Sequence, residues 1–477
     1  MRETAKFTTQ CMKINQEDFT EDLVDRVRYF LLDYIGVAAR GAQSESSLSV
    51  QKSLAELQLK VQPKGAAVIG TSLRADPPLA ALSNGTAAHS LELDDVINEA
   101  SLHPGVVIMP AVLAAAELVH ASAGEAFEAI VTGYEVMTRL GIALNPAAHY
   151  KRGFHPTGTC GAFGAAAAVG KVLKLNEKQL ANALGIAGSQ ASGSLEFLSD
   201  GAYTKRFHAG WAAHSGLIAA FMAKEGFTGP KTILEGKLGF LRAYSPESSL
   251  EPLLDSWDDS FALMRTSIKP HACCRYKQGP IDGIIKIMQD HHLQAEDVAA
   301  VTAGVLDAGY ALVAEPLEAK QHPQRVVDAQ FSMPFGAAVA MHFGKAGLDQ
   351  YTDEVIQMPV IQDLMKQVTC EKNPALDREF PKKWPASVKL VTKKGKTYST
   401  WIDYPKGDPE NPLTWSELEE KFHDLTAPVY DLKTRTEIVD TVRSLNSNDA
   451  LDAVLNILRP EDKTGVFNAG NAGSKDS

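Results

Sequence analysis

Residues 158–173 read GTCGAFGAAAAVGKVL. Apart from Phe163, the first twelve residues of this run are all small. A helix built so largely of Ala and Gly has narrow faces, and the side chains at a contact set how near two helix axes come. The same texture recurs on both sides. Pro77–Ser90 (PPLAALSNGTAAHS), Pro110–Val119 (PAVLAAAELV) and Trp211–Glu225 (WAAHSGLIAAFMAKE) read as small-residue helices. The first two open on Pro, which the first helical turn tolerates because its N–H would be unpaired anyway. Ala126–Leu140 and Glu177–Ala191 continue the series, and Asp22–Gly41 reads as an amphipathic helix closed by Gly41. The first half of the chain is therefore expected to be a dense all-helical body.

The texture changes near residue 265. Val298–Leu306 carries scattered β-branched residues, and ASVKLVT, KKGK and TYSTWI (Ala386–Ile402) read as a hairpin around Gly395. Helices are expected between them over Asp282–His291 and Ser332–Met341. After the Pro-rich YPKGDPENPLTW, Ser416 onward returns to amphipathic helix. The fold expected is mainly α. A large helical domain takes residues 1–265 and 406–460, a smaller α+β unit spanning 266–405 is inserted as a lid, and 461–477 form a disordered tail.

The 477 residues are 45 % hydrophobic and 22 % charged, with a formal net charge of −11. A nucleic-acid surface or an anionic membrane needs a basic face, so neither partner is expected. No apolar run reaches the roughly 20 residues of a membrane span. No apolar leader precedes the first helix, and five cysteines form no framework, so reduced thiols in a cytoplasmic protein are expected. No C-x-x-C pair or H-E-x-x-H run is present, and neither a metal nor a cofactor is expected.

Four segments carry candidate chemistry. LELDDVINEASLHPG brings Glu92, Asp94, Asp95, Glu99 and His103 together just ahead of an apolar helix. Burial beside such a helix is what tunes proton affinity. HYKRGFHPTGTCG offers Tyr150 and His155 before a helix start, where free N–H groups suit a carboxylate. TKRFHAGW places Lys205, Arg206 and His208 ahead of another helix. IKPHACCRYKQGPID supplies Lys269, His271, Arg275 and Lys277. Taken alone, each segment also admits an ordinary reading: an acidic turn, a helix cap, or surface lysines. In a chain this acidic, three basic segments point to a small anion. Cys160 reads as a packing residue.

Taken in order, NGTAAHSLELDDV with HPG beyond it, RGFHPTGTCGAFGAAAA, LGIAGSQASG, TKRFHAGWAAHSG, IKPHACCRYKQGPID and YPKGDPENP resemble the MmgE/PrpD family. The resemblance runs from about Glu21 to Leu458. That family includes 2-methylcitrate dehydratase, cis-aconitate decarboxylase and iminodisuccinate epimerase. The resemblance implies a helical body formed by both chain ends, an inserted lid, a homodimer, and cofactor-free chemistry on small di- or tricarboxylates. It puts the active-site acid at Glu92, histidines at His103 and His155, a lysine at Lys205 and a lid tyrosine at Tyr310. Val96 stands where many members carry Thr, and Lys277 where a His is common.

These activities share one problem, a carbanion beside a carboxylate. His103, His155, Lys205 and Tyr150 are the candidate catalytic groups. Glu92, Asp94, His208, Lys269, His271 and Arg275 are the candidate substrate-binding groups. A lyase acting on an aconitate- or citrate-like acid is expected. A dicarboxylate epimerase is the alternative, and a non-catalytic anion-binding protein a remote one.

Overall fold

The protein is described from a computed structural model over residues 2–57, 65–257 and 260–459. It is 59 % helical and 8 % strand, and so mainly α. The expected tail at 461–477 lies outside the described residues.

Small residues decide how the helical body packs. Helices Pro77–Ala88, Gly105–Val119, Ala123–Ala143, Pro156–Val172 and Thr204–Lys224 form its centre. The tightest approach is between the first and last of these. A Cβ on Gly210 would lie 2.2 Å from the Leu82 carbonyl oxygen and 2.5 Å from Thr86 Oγ1. Only a residue without a side chain fits there. Capping boxes fix several starts: Ser122 with Glu125, Asn176 with Gln179, and Thr414 with Glu417. Two late helices, Trp415–Thr426 and Leu432–Ser444, pack on Glu21–Gly41 near the other end of the chain.

Two helix starts differ from the sequence reading. The helix expected to open on Pro110 begins at Gly105, so Pro110 lies inside it. Pro cannot donate to the carbonyl four residues back. That carbonyl, on Val106, faces Gly85, where a Cβ would come within 2.9 Å of it. The helix expected from Trp211 begins at Thr204. Lys205, Arg206 and His208 therefore sit in its first turns rather than ahead of it.

The later part of the chain forms a unit with one four-stranded sheet. Its strand order is Val368–Lys372, Val298–Val305, Ala386–Thr392, Thr397–Ile402. The first pair is parallel and the others antiparallel. The Ala386–Ile402 hairpin turns at Gly395, whose φ of 78° is one that glycine adopts without strain. Helix Gln278–Asp290 covers the Ala386 and Thr397 strands.

Where the chain enters and leaves this unit, it is pinned to the acidic segment. Val96 and Ser267 exchange backbone hydrogen bonds of 2.9 and 2.8 Å. Ile268 N–H donates to Gly407 O at 2.9 Å. Asp408 then accepts from Ser267 Oγ, Asn98 Nδ2 and Arg275 Nη2. Further in, Lys277 is wholly buried. Its ammonium meets Ala329 O at 2.8 Å, Gln330 O at 3.3 Å and the Tyr351 hydroxyl at 3.1 Å. Among the described residues no carboxylate pairs with it, and burial pushes its pKa down from 10.5 to about 8.

Two stability measurements check this packing. Gly210→Ala should cost about 1–3 kcal/mol in urea unfolding, because overpacking meets backbone that cannot move aside. Gly347→Ala, whose Cβ would meet only Gln350 Oε1 at 3.4 Å, should be near neutral. For Lys277, the unfolded chain binds a proton that the folded chain lacks between pH 8 and 10.5, so stability rises with pH across that window. Lys277→Met should abolish that rise. The gap between wild type and variant should change by up to about 3 kcal/mol from pH 8 to 10.5.

Candidate active site

The segment from His89 to His103 leaves the end of the Pro77–Ala88 helix, crosses the protein, and returns to head the Gly105–Val119 helix. Asp95 makes the return possible. Both its oxygens accept from Gly105 N–H, at 3.0 and 3.1 Å, and the Tyr134 hydroxyl donates to it at 2.7 Å. Burial, with Asp94 and Asp33 nearby, pushes the Asp95 carboxyl up to about 8. Glu92 and Ser101 hold φ of 56° and 49°, in the left-handed region. Side chains other than glycine pay strain there, on the order of 1–3 kcal/mol. Neighbours fix Glu92 on both sides: Gln330 Nε2 donates to Leu91 O at 3.1 Å, and Lys421 Nζ to Leu93 O at 2.9 Å.

The charges then converge. Lys205, in the first turn of the Thr204 helix, is ion-paired to Glu92. Lys269, from the lid root, lies 3.7 Å from Glu92 Oε2 and 3.4 Å from Asp94 Oδ1. Burial alone would raise Glu92, but Lys205 and Lys269 overcome it and hold the carboxylate ionised. Burial likewise opposes the charge on Asp94, and Lys269 with His103 and His89 outweighs it. Lys269 is wholly buried; Asp94 and Glu92 offset its desolvation and raise its pKa.

Four histidines pack around this charge set. His103 Nδ1 lies 2.7 Å from the Asp95 carbonyl and 3.0 Å from Asp94 Oδ2. Both neighbours are acceptors, so Nδ1 carries a proton and Nε2 is the nitrogen left for chemistry. His89 Nδ1 meets the same Asp94 oxygen at 2.8 Å. His155 caps the Pro156 helix and stacks on His89, with ring centroids 5.7 Å apart. His155 Nδ1 is 3.3 Å from His208 Nδ1, so one of these two imidazoles donates to the other. Burial, then His89, His208 and Lys205, hold His155 well below the usual imidazole range. Burial first, then His89 and Lys205, bring His208 down to about 4. His155 and His208 are thus neutral at pH 7, whereas His89 and His103 are both backed by the Asp94 carboxylate.

His89, Asp94 and His103 bring three donor atoms within 4.8 Å of one another. In the structure these atoms are joined to one another by short polar contacts. Both imidazoles share one carboxylate oxygen, and Lys269 already supplies the countercharge on that carboxylate.

The other expected residues take different places. The Tyr150 hydroxyl donates to Ser101 O at 3.0 Å at the exposed edge of the group. Arg275 is committed to Asp408 and Asn98, with its Nη1 buried and unpartnered. These contacts tie it to the chain around Asn98 and Asp408. His271 pairs with Asp282 at 2.9 Å inside the lid. Among the described residues, no hydrogen bond, ion pair or ring contact joins it to the Glu92–His155 group. Tyr310 donates to Cys370 O at the sheet. Glu99 pairs with Arg265 near the surface. Cys160 is buried and its thiol is pushed up to about 12, as a packing residue would be. The sequence reading missed His89, Tyr134, Gln330, Asp408 and Lys421. Of these, only His89 lies close enough in sequence to the acidic run to have been found from it.

The MmgE/PrpD N-terminal domain matches residues 5–253, and the MmgE/PrpD C-terminal domain matches residues 271–447. A cis-aconitate decarboxylase-like protein of Aspergillus oryzae is 26 % identical over 96 % of this chain and 97 % of its own length. A cis-aconitate decarboxylase of Aspergillus terreus is 27 % identical over 95 % of each chain. A cis-aconitate decarboxylase of Homo sapiens is 25 % identical over 96 % of this chain and 94 % of its own. With two domain matches that between them cover most of the sequence in the expected order, the chain belongs to the MmgE/PrpD family.

Proposed function

We propose that the protein is a cofactor-independent lyase that decarboxylates cis-aconitate or a closely similar tricarboxylate. One observation carries the reading: two ammonium groups, half-buried Lys205 and wholly buried Lys269, lie beside an imidazole whose Nδ1 is fixed and whose Nε2 has no partner among the described residues. Relatives named as cis-aconitate decarboxylases, matched along nearly their whole length, support the same chemistry.

In this reading a substrate carboxylate displaces Glu92 from Lys205, while Lys269 keeps Glu92 paired. The ammonium groups neutralise substrate charge that would otherwise resist burial. When the carbon–carbon bond to the departing carboxylate breaks, its electron pair stays on carbon, conjugated with a remaining carboxylate. Fixed cations that need no reorganisation stabilise that charge. Protonated His103 then donates its Nε2 proton to carbon and is reprotonated from solvent. Asp94 stabilises the imidazolium, and neutral His155 offers a hydrogen bond without adding charge.

The direct test is NMR in heavy water with cis-aconitate, methylcitrate and iminodisuccinate offered separately. The expected result is loss of CO₂ from cis-aconitate, with one solvent deuteron on the product carbon. Deuterium entering iminodisuccinate without net conversion would replace this reading with epimerisation.

The site variants are expected to separate the roles. His103→Asn and His155→Asn should each lower turnover by about a hundredfold or more, the scale of a lost general acid or its partner. Lys205→Ala should act mainly on binding, raising KM strongly, and Lys205→Arg should not restore it fully. Steady-state kinetics, with circular dichroism to confirm folding, reads both. Near-normal turnover in both folded histidine variants would assign them structural roles.

A further inference from the structure

His89 has no part in the chemistry described above, yet it is wholly buried at the centre of the site. Its Nδ1 meets Asp94 Oδ2 at 2.8 Å, and its Nε2 is buried without a hydrogen-bond partner. A buried polar atom left unpaired is disfavoured and calls for an explanation. Burial brings His89 down to about 4 against the pull of Asp94, so at pH 7 it is a neutral imidazole with its proton on Nδ1. It is therefore a fixed, uncharged donor aimed at one carboxylate oxygen. His103 Nδ1 uses that same oxygen, at 3.0 Å. The His89 ring also stands between two others, tilted against His103 at 5.0 Å and stacked on His155 at 5.7 Å.

We propose that His89 is a positioning residue: by donating to the Asp94 oxygen that His103 Nδ1 shares, it limits how strongly Asp94 stabilises the His103 imidazolium. This rests on the reading of His103 as proton donor. An acceptor oxygen already engaged by one donor binds a second less strongly, so Asp94 supports the His103 imidazolium without trapping it. A trapped proton is a poor general acid, since the ideal catalytic pKa lies near the operating pH. Neutrality of His89 is essential, because a charged neighbour would oppose the imidazolium.

The other groups around the pair do not supply this function. Asp95 faces His103 with its backbone carbonyl, and its carboxyl is turned to Tyr134 and Gly105. Lys269 reaches the other Asp94 oxygen. His155, Lys205 and, one neighbour further out, Glu92 and His208 act on the pair only through space.

The test needs no substrate, so failure of the proposed function would leave it intact. The protein is labelled with ¹⁵N-histidine, and the His103 signals are assigned by their loss in His103→Asn. The expected wild-type signature is a proton on Nδ1 of His103. In His89→Phe, which keeps a ring and removes the donor, the His103 midpoint should rise by about one pH unit. In His89→Asn, whose amide nitrogen falls near the imidazole Nδ1 position, it should stay near the wild-type value. If His89→Phe does not fold, His89→Gln replaces it, since its amide falls near Nε2 and should not rescue. An unmoved midpoint in the Phe or Gln variant, or an equal shift in the Asn variant, overturns the proposal.

Discussion

Glu92, Asp94 and Asp95 follow one another along a segment that is almost entirely out of water. A buried carboxylate must be paired, hydrogen-bonded or protonated, and here all three solutions are used. Their partners come from distant parts of the chain: Tyr134, Lys205 and Lys269 answer the acids themselves, and Lys421 supports the backbone between them. Removing one member of such a set leaves a buried charge uncompensated, a loss on the order of 3–5 kcal/mol. The path of the chain follows from this. The lid root must pass the acidic segment to deliver Lys269, and the last helices must fold back over the Glu21 helix to deliver Lys421.

The same requirement ties the sheet-bearing unit to the acidic segment. Val96 pairs with Ser267, and Asp408 gathers Ser267, Asn98 and Arg275 at one point. The acidic segment is thus bound to the chain where it enters the inserted unit and where it leaves. This fixes the distance between Lys269 and Lys205, the two cations assigned to the substrate. Close packing of small-residue helices serves the same end. A helix head that cannot shift holds Lys205 and His155 in place, and a preorganised site spends no energy moving its dipoles during reaction.

Much of this was legible in sequence, for identifiable reasons. The Ala386–Ile402 hairpin announced itself by alternation around Gly395, and the Ala-rich helices by composition. Strand Val368–Lys372 did not, because VTCEK is short, polar and at the edge of the sheet. Pro110 was misleading because proline usually marks a first turn, whereas here Gly85 leaves room for the carbonyl it orphans. Within the site, Glu92, Asp94, His103, His155, Lys205 and Lys269 could all be picked out as polar groups beside apolar helices. His271 and Arg275 looked equivalent to Lys269 in sequence, yet in the structure they pair with Asp282 and Asp408 rather than with Glu92 or Asp94. Asp408 lies 133 residues beyond Arg275, and no local pattern reveals such a pairing. His89 was hidden because a lone histidine ending a small-residue helix reads as packing.

The central claim is that Lys205 exchanges Glu92 for a substrate carboxylate inside this buried group. A crystal structure with bound cis-aconitate, obtained with the His103→Asn variant once circular dichroism confirms its fold, tests it most directly. The account predicts one carboxylate on Lys205, a second near Lys269, and Glu92 drawn away from Lys205. A ligand bound elsewhere, with the Lys205–Glu92 pair intact, would contradict it.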